Sequence, residues 1–556
     1  EGRHDMMLLL LRDERVFASV AHGPQRRWYE ARHVDMNQGR LLRFAADGGN
    51  LPLFSLLLSA CPPRSGAVND VDCDGRSALF VAARHGHSEI VQLLLSRPDV
   101  DVSLHDGDVA SARHLREQRE REEARGMELG GVAKTGLTVL MHVAKAGLDT
   151  ILEQLLAHPD IQPNSLSSAG WSALTLASQA GHKRCVQLLL SHRQTNVNAP
   201  NSVGRGPLAL AAFAGHAAVV IMLLTHPETD VNATDLGLAS ALIIACWRGH
   251  EEVVRCLLSH NGTRVNQADH GGRTGLLWAA IARDRRPDAH ASIVEQLLSH
   301  RHIDGNAQSH DGDRPLHAAL RRPGCHAAAM ALALSPAVDP HLLGADGCTG
   351  LQLAVKGGHT GVLEAMLSRT GIRVDAAGAD GWSALLSAAR FGERHAAKLL
   401  LAAGADPRIV ADTRVHVGLT PLHMAASWGF VELAELLAVA APELVGARTH
   451  AGLTPLMLAA LRGQGRAVAW FLAQGAELGA LDADGHDAMQ LALRAGHASV
   501  VQLLEAVASQ SVAGSSSSST DAPEVTRHDL LRLHRALRGM SAEEEEATGD
   551  VGDAEV

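Results

Sequence analysis

The sequence predicts an all-α fold in which helix pairs stack into a solenoid. One motif recurs along most of the chain, most often every 34 residues, and its apolar positions are spaced as on helices rather than strands. The chain of 556 residues exceeds the roughly 250–300 residues over which a single core grows. Aromatic residues make up only 3% of it, so the core must be packed with Leu, Val and Ala, as between close helices. These observations favour a repeat architecture over separate globular domains.

The repeating motif is clearest at residues 74–87. Its leading glycine defines a phase position, which is filled once by a leucine. The twelve phase positions are Gly75, Gly136, Gly170, Gly204, Leu238, Gly272, Gly312, Gly347, Gly381, Gly418, Gly452 and Gly485. Leu follows four residues later in eleven of the twelve copies, Ala seven later in eleven, and Gly eleven later in ten. A weaker copy begins at Gln38. The chain is therefore an array of related units.

Each unit predicts two helices. A Ser or Thr two residues after the phase position, such as Ser77, is placed to cap the first helix. The plus-eleven glycine, such as Gly86, can end that helix in the left-handed conformation. A second helix follows, for example over residues 88–95, with Val and Leu on one side. An extended stretch such as 229–233 then leads into the next unit. A helix pair of this size cannot bury its own apolar face, so it must stack on its neighbours.

These units closely resemble the ankyrin repeat family. The residues that carry the resemblance are 420–426 and 454–460, which begin Thr-Pro-Leu, and Gly-His pairs such as Gly86-His87. The resemblance covers residues 38–505, about thirteen units, although the period of 34 differs from the family's value of about 33. It implies an ankyrin-repeat solenoid with short hairpin fingertips. It also implies a protein-interaction module whose concave face meets the partner.

The regions outside the regular repeats predict the domain organisation. We expect an N-terminal segment or cap, the repeat array, a Ser-rich linker, an amphipathic helix and an acidic disordered tail. Their bounds are 1–37, 38–505, 506–523, 524–540 and 541–556. The chain begins with Glu rather than Met, which suggests a fragment of a longer protein.

Three insertions interrupt the array. Twenty-seven residues are added near 108–134 in one fingertip, about six around 283–290 in a turn between two helices, and three before Gly418 that lengthen a hairpin.

Charge and cysteine usage exclude several classes of protein. The net charge is −11, and seven acids without a base lie in the last sixteen residues. This is not the basic footprint of a nucleic-acid-binding protein. The seven cysteines are scattered without a C-x-x-C pair, which indicates a reducing compartment. No apolar run approaches the roughly 18–20 residues that span a bilayer. We therefore expect a monomer in the cytoplasm or nucleus, with protein partners, no nucleic acid and no direct membrane insertion.

Metal binding and catalysis are not favoured. Many of the 32 histidines recur at two repeat positions, one after the plus-eleven glycine and one after the second helix. No cysteine or carboxylate converges on them as a zinc site requires, so we interpret these imidazoles as hydrogen-bond partners of turn backbone. The sequence contains no nucleophile elbow, no phosphate-binding glycine loop before a lysine and no H-E-x-x-H motif. We predict that the protein is not an enzyme and has no cofactor.

The placement of aromatic and arginine side chains predicts a binding surface. In ankyrin repeats the concave, partner-facing positions correspond to minus two, minus one, plus one, plus nine and plus ten around the phase position. Six of the eleven aromatics between Cys73 and Glu505 lie there, where chance would place about one or two. Trp and Arg dominate binding hot spots, and Arg recognises carboxylates with two hydrogen bonds. The alternative is that the rings only pack between repeats.

The candidate partner-binding residues are Trp171, Arg205, Phe213, Trp247, Arg248, Arg273, Arg321, Arg322, Trp382, Arg390, Phe391 and Trp428. They predict an extended partner that is apolar at intervals and acidic between.

A recurring asparagine is a second candidate feature. Six units carry it six residues before the phase position, at Asn69, Asn164, Asn198, Asn232, Asn266 and Asn306. Asn suits hairpin turns because its side chain bonds its own backbone. The resemblance adds another interpretation, since an asparaginyl hydroxylase modifies this position in the ankyrin family. It makes Asn232, Asn198 and Asn266 candidate hydroxylation sites.

Taken with the family resemblance, these features predict a non-catalytic interaction scaffold that binds an extended partner along a concave groove. Two alternatives remain open at the level of sequence. The chain could be the ankyrin region of a larger enzyme, channel or adaptor. It could also be an acidic structural spacer without a dedicated partner, although the bias of aromatics to concave positions argues against that.

Overall fold

The computed structural model of the protein describes residues 38–515, except 64–65, 73, 107–135, 282–286 and 413–416. Its contacts divide the chain into two compact units, unit 1 up to Gly275 and unit 2 from Leu276. The N-terminal segment 1–37, the insertion at 108–134, the candidate helix 524–540 and the acidic tail lie outside the described residues.

Unit 1 has six helix pairs in its described part. They are α1 (Gln38–Asp47) and α2 (Leu51–Ala60), α3 (Ala78–His85) and α4 (Ser88–Leu95), α5 (Val139–Ala146) and α6 (Asp149–Leu156), α7 (Ala173–Ala180) and α8 (Lys183–Ser191), α9 (Pro207–Ala214) and α10 (Ala217–Leu224), and α11 (Ala241–Arg248) and α12 (Glu251–Leu258). A 3₁₀ helix, Ala67–Asn69, lies between the first two pairs.

Unit 2 has seven helix pairs in its described part, the first of which begins at Gly275. They are α13 (Gly275–Ile281) and α14 (Pro287–Leu298), α15 (Pro315–Leu320) and α16 (His326–Leu334), α17 (Gly350–Lys356) and α18 (Thr360–Leu367), α19 (Ala384–Phe391) and α20 (Arg394–Ala402), α21 (Pro421–Trp428) and α22 (Val431–Ala440), α23 (Pro455–Leu461) and α24 (Gly465–Ala473), and α25 (Ala488–Ala495) and α26 (Ala498–Ser515). A 3₁₀ helix, Pro442–Gly446, follows α22.

The ends of the first helices confirm the capping prediction. At each of eight starts a Ser or Thr side chain accepts a hydrogen bond from the backbone N–H three residues later, which satisfies a donor that the helix leaves open. The capping residues are Ser77, Thr138, Ser172, Ser240, Thr349, Ser383, Thr420 and Thr454. Pro421 and Pro455 occupy the first helical position after two of them, where a missing N–H costs little. The plus-eleven glycines are left-handed as predicted, for example Gly86 with φ 82°.

Stacking of like helices builds the core. In unit 1, α7 packs against α5 and α9, while α8 packs against α6 and α10. In unit 2, α21 packs against α19 and α23 in the same way. The plus-four leucines lie in these contacts, with Leu79 1% and Leu422 0% exposed. The predicted all-α solenoid of stacked helix pairs is confirmed.

The irregular regions agree only partly with the predicted boundaries. Helices α3 and α5 pack against each other, so the 27-residue insertion does not interrupt the stack. The lengthened hairpin is present as β1 (Ala411–Asp412) and β2 (Val417–Leu419), an antiparallel pair with Ala411 opposite Leu419. The insertion around 283–290 was predicted as a turn, but α14 already begins at Pro287, so the added residues also lengthen that helix. Helix α26 continues to Ser515, ten residues past the predicted end of the array at 505 and into the predicted linker.

A buried histidine links the stability of unit 2 to pH. His423 is 0% exposed, and its Nε2 lies 3.1 Å from the carbonyl oxygen of Leu453 while its Nδ1 lies 2.8 Å from the hydroxyl of Thr420. Burial, only partly offset by the hydrogen bond to the Leu453 carbonyl, lowers the pKa of His423 from 6.5 to about 4. The unfolded chain therefore binds the proton more tightly than the folded one between these values.

We expect the free energy of unfolding of unit 2 to fall as the pH drops from 6.5 towards 4, because His423 must stay neutral in the fold. Urea unfolding of the wild type and of His423→Gln at a series of pH values would measure this. The wild type should lose more stability than the variant over that interval. Equal pH slopes for the two proteins would contradict the assignment.

Candidate functional site

The predicted concave positions lie at two places in each repeat. One is the fingertip around the phase position, and the other is the C-terminal end of the first helix, before the plus-eleven glycine. In unit 1, Phe213 is near the end of α9, and Trp247 and Arg248 end α11. Each of these three side chains is half-buried, so each is held by the fold and still offers surface.

The structure brings four predicted residues into one group, cluster 1, formed by Arg205, Phe213, Trp247 and Arg248. The ring centroids of Phe213 and Trp247 are 6.3 Å apart. The guanidinium carbon of Arg248 lies 4.5 Å from the Phe213 centroid and 5.6 Å from the Trp247 centroid. That of Arg205 lies 5.2 Å from the Phe213 centroid. These distances are those of cation–π contacts, which hold a cation against the face of a ring.

The two arginines of cluster 1 differ in their charge partners. Arg205 donates from Nε to the carboxylate of Asp235 at 3.0 Å, and the Asp235 side chain is only 5% exposed. Among the residues that the structure describes, no carboxylate pairs with Arg248, whose guanidinium contacts the two rings. A guanidinium oriented by rings and not neutralised by an acid is able to bind an external carboxylate.

The other predicted residues of unit 1 lie outside cluster 1. Trp171 follows its phase glycine in a turn closed by Ser167, whose hydroxyl accepts the Trp171 N–H at 3.1 Å. Its half-buried ring contacts neither Phe213 nor Trp247. Arg273 occupies the fingertip whose turn is closed by Asp269, and the backbone N–H of Arg273 donates to the Asp269 carboxylate at 2.9 Å. Of the three consecutive units that carry Trp171, Phe213 and Trp247, only the last two are therefore joined by a contact between these rings.

A smaller group, cluster 2, lies in unit 2 and consists of Trp382, Arg390 and Phe391. The guanidinium carbon of Arg390 is 5.4 Å from the Trp382 centroid and 5.7 Å from the Phe391 centroid. Phe391 is 45% exposed, and Trp428, at the end of α21, is 49% exposed. Trp382 is only 5% exposed, so its ring supports Arg390 from the interior and offers little surface of its own.

Arg321 and Arg322 differ from each other although they are adjacent. Arg321 forms ion pairs with Asp313 and, at 2.9 Å, with Asp346. Although burial works in the opposite direction, hydrogen bonds to these two carboxylates raise the pKa of Arg321 above its usual value. In the described part of the chain Arg322 has no carboxylate partner. Arg321 thus acts mainly within the fold.

The histidines after the plus-eleven glycines form contacts between repeats. Their Nε2 atoms lie near a carbonyl oxygen at the end of the preceding first helix, for instance His250 at 3.0 Å from Phe213 and His216 at 3.1 Å from Gln179. Corresponding contacts are made by His87, His182, His359 and His497. For the histidines after the plus-eleven glycines, the interpretation as backbone partners is confirmed, with the end of the preceding helix rather than a turn as the partner. His250 in addition supports the helix end that carries Phe213.

The recurring asparagines also bridge repeats, which sequence reasoning missed. The Asn232 amide donates to the carbonyl of Gly262 at 2.8 Å, and its oxygen accepts the N–H of Arg264 at 2.8 Å. Asn198 bonds Glu228 and Asp230 in the same way. Equivalent bridges start at Asn69 and Asn306. These side chains therefore bond the next repeat's backbone rather than their own turn, and Asn266 lies at the equivalent fingertip position.

A cluster of possible metal ligands was also not foreseen. Among the described residues, Asp482, Asp484 and His486 place ligand atoms within 4.8 Å of one another. The Asp482 carboxylate, however, accepts the N–H groups of Asp484 at 3.0 Å and His486 at 2.7 Å. Asp72 closes its own turn in the same way, with Asp74 and Arg76 as donors. The arrangement is accounted for by the turn.

Comparison with known proteins adds two findings. A family model described as ankyrin repeats, three copies, matches residues 3–106, 133–235, 242–342, 316–411 and 422–511. Among solved structures, the crystal structure of EF0377, an ankyrin repeat protein, is similar at 20% sequence identity with a TM-score of 0.33, over 35% of this chain and 96% of that one. Within the described residues no helix has the length and apolar character that crossing a membrane requires.

Proposed function

The chain belongs to the ankyrin repeat family, and from this premise we propose that it is a non-catalytic scaffold that binds an extended protein partner along its concave positions. Ankyrin repeats are generally protein-interaction modules. The observation that carries the proposal is cluster 1, where two rings and an unneutralised guanidinium are held together at the surface. A site that is ordered before the partner arrives loses little entropy on binding.

The chemistry of the exposed residues defines the partner. Arg248 and Arg390 are each held by aromatic rings and have no carboxylate partner in the described part of the chain. Phe391 and Trp428 are close to half exposed and suit apolar side chains. The partner is therefore extended, with apolar and acidic side chains in alternation. We include Trp171, Arg273 and Arg322 as flanking contacts, whereas Arg205, Arg321 and Trp382 support the surface from within.

The cellular setting is part of the same proposal. The six described cysteines are unpaired, five of them buried. Burial raises the pKa of the Cys185 thiol to about 11, so this thiol stays protonated and unreactive at neutral pH. We place the protein as a monomer in a reducing compartment, the cytoplasm or the nucleus. A role as the binding region of a larger enzyme, channel or adaptor is compatible with the same surface.

Asn232, Asn198 and Asn266 are proposed as sites of asparagine hydroxylation. The amides of Asn232 and Asn198 are engaged with the next repeat, so a modifying enzyme would have to act when these fingertips open. Modification would then report on local opening of the array.

Replacing Trp247 with Ala tests the proposed function. The ring contacts Phe213 and Arg248 at the surface, so its loss should remove a binding anchor while the helix stack is kept. Hot-spot truncations cost about 2 kcal/mol or more, so the affinity for a captured partner should fall about thirtyfold. Affinity capture with mass spectrometry would identify the partner, and titration of the purified pair would give the affinity.

His192→Ala is the matched control for this experiment. His192 follows α8, away from the concave positions, so partner capture should be unchanged. A Trp247→Ala protein that melts at a much lower temperature but captures the partner normally would contradict the proposal, since the ring would then serve packing alone.

A further inference from the structure

Leu238 combines a strained backbone with an exposed side chain. It is the one described non-glycine residue with a positive φ, 59°, and it occupies a phase position that is glycine in the other eleven copies. An L-residue is disfavoured in this left-handed conformation because its Cβ approaches the following carbonyl oxygen. The Leu238 side chain is 44% exposed, so its burial offsets little of the free-energy cost of the left-handed backbone.

The turn around Leu238 cannot relax to remove this strain. The Asp235 carboxylate accepts the N–H groups of Gly237 and Ala239, both at 2.9 Å. The Leu238 N–H donates to the carbonyl of Asp235 at 2.9 Å. These bonds fix the chain in the path that the glycine-containing fingertips follow. Glycine would suit this position better on structural grounds alone, and the fold does not require leucine.

Leu238 has exposed apolar neighbours. Leu236 on the same fingertip is 69% exposed, and Val203 on the preceding fingertip is 41% exposed. The Leu236 N–H donates to the carbonyl of Val203 at 3.0 Å, so the two fingertips are joined there. Large apolar side chains that are exposed on joined fingertips form the kind of patch that marks an interaction site.

This patch is connected to the unneutralised charge of cluster 1. Asp235, which precedes Leu236, holds Arg205, and Arg205 lies over the same Phe213 ring as Arg248. Asp235 already has a cationic partner, whereas Arg248 has no carboxylate partner among the described residues. The surface therefore offers apolar side chains at the fingertip and one positive charge at the helix end. Its complement is an apolar side chain next to a carboxylate.

We propose that Leu236, Leu238 and Arg248 form one epitope that binds a short extended segment of a protein partner, with a large apolar side chain on the leucines and a Glu or Asp carboxylate on Arg248. This rests on the proposed function and names the partner chemistry for one part of the concave surface. Strain kept at an exposed position is typical of binding sites. The strain at Leu238 is thus explained by the partner contact that its side chain makes.

Leu238→Gly separates stability from binding. The variant should melt at a temperature equal to or above that of the wild type, because glycine relieves the left-handed strain. Its affinity for the probe peptide described below should fall about tenfold, because an apolar contact is lost. Leu236→Ala should weaken binding similarly, and Leu481→Ala, an exposed fingertip leucine of unit 2, should not. A clear fall in melting temperature for Leu238→Gly, or unchanged binding by both epitope variants, would overturn the proposal.

The probe is a peptide selected from a phage-displayed random library on the chain of 556 residues and then synthesised. Selected sequences should share a large apolar residue beside Glu or Asp. Changing that Glu or Asp in the peptide to its amide should weaken binding to the wild type about ten- to hundredfold, but should have little effect on Arg248→Gln. Arg255→Gln is the matched control, because Arg255 lies on α12 and pairs with Glu251 and Glu252.

The outcomes distinguish this inference from the proposed function. Equal losses for Arg248→Gln and Arg255→Gln would mean general electrostatic attraction and would overturn the epitope. Selection of no peptide, or of peptides without an acid, would overturn it as well. If Trp247→Ala abolishes partner capture while the epitope variants bind normally, the concave scaffold stands and the epitope fails.

Discussion

Replacement of Leu422 by Ala is expected to lower the free energy of unfolding of its part of the array by about 2–5 kcal/mol. Leu422 is 0% exposed and lies in α21, which packs against α19 before it and α23 after it. Truncation removes apolar contacts and leaves a cavity that the stacked helices can fill only partly. This is a larger effect than any surface substitution away from the clusters should have.

The loss should be local, because each repeat contacts only its neighbours. Hydrogen exchange followed by mass spectrometry would show it, with protection falling in α19 to α24 and remaining close to wild type in α3 to α8. The matched surface control is Leu493→Ala, since Leu493 is 68% exposed on α25 and should have little effect. Uniform loss of protection along the whole chain would contradict a one-dimensional array.

Most of the fold could be predicted from the sequence because its determinants are local. The Ser and Thr caps, the plus-eleven glycines and the helical spacing of Leu and Ala act within one unit, and the unit is repeated. The helix boundaries that differ from the predicted ones lie where the sequence departs from the repeating motif. Residues 287–290 form part of α14 and residues 506–515 form part of α26. Pro287 stands at a helix start, where proline is tolerated, and no glycine or proline follows it before 291. In the second stretch the first glycine is Gly514, so nothing stops the helix earlier.

The candidate site could be predicted only as a set of positions. Sequence treats Arg205 and Arg248 alike, since both fall at predicted concave positions. Their difference depends on Asp235, which lies 30 residues from Arg205 and reaches it only because fingertips stack. The same holds for Asn232, whose partners Gly262 and Arg264 belong to the next repeat. A periodic position indicates that a residue has a role, but not whether its partner lies in its own repeat.

The plus-eleven glycines illustrate how one residue type serves two purposes. Gly86 and Gly215 both have φ 82°, so a side chain at either is strained. A Cβ built on Gly86 would meet nothing within 4 Å, whereas one on Gly215 would lie 2.6 Å from Nδ1 of His250. At Gly215 the absence of a side chain also makes room for the histidine that bonds Phe213 at 3.0 Å.

Gly215→Ala is therefore expected to destabilise unit 1 more than Gly86→Ala does. Gly86→Ala should cost about 1–2 kcal/mol for the left-handed backbone. Gly215→Ala should cost about 2–4 kcal/mol, because the imidazole of His250 must also move and its hydrogen bond to the Phe213 carbonyl is lost. Urea unfolding of the two variants beside the wild type would measure the difference. Because Phe213 belongs to cluster 1, the affinity for the probe peptide should fall in Gly215→Ala and stay normal in Gly86→Ala.

A double-mutant cycle identifies the cause of the difference. In a protein that carries both Gly215→Ala and His250→Ala the steric conflict is removed. Adding His250→Ala to the Gly215→Ala variant should therefore cost much less stability than His250→Ala costs in the wild type. The double variant would keep the backbone strain and lose the bond to Phe213, and it should therefore resemble the sum of Gly86→Ala and a single lost hydrogen bond. Additive costs for Gly215→Ala and His250→Ala, or equal costs for the two glycine variants, would show that crowding of His250 does not add to the cost of a side chain at position 215.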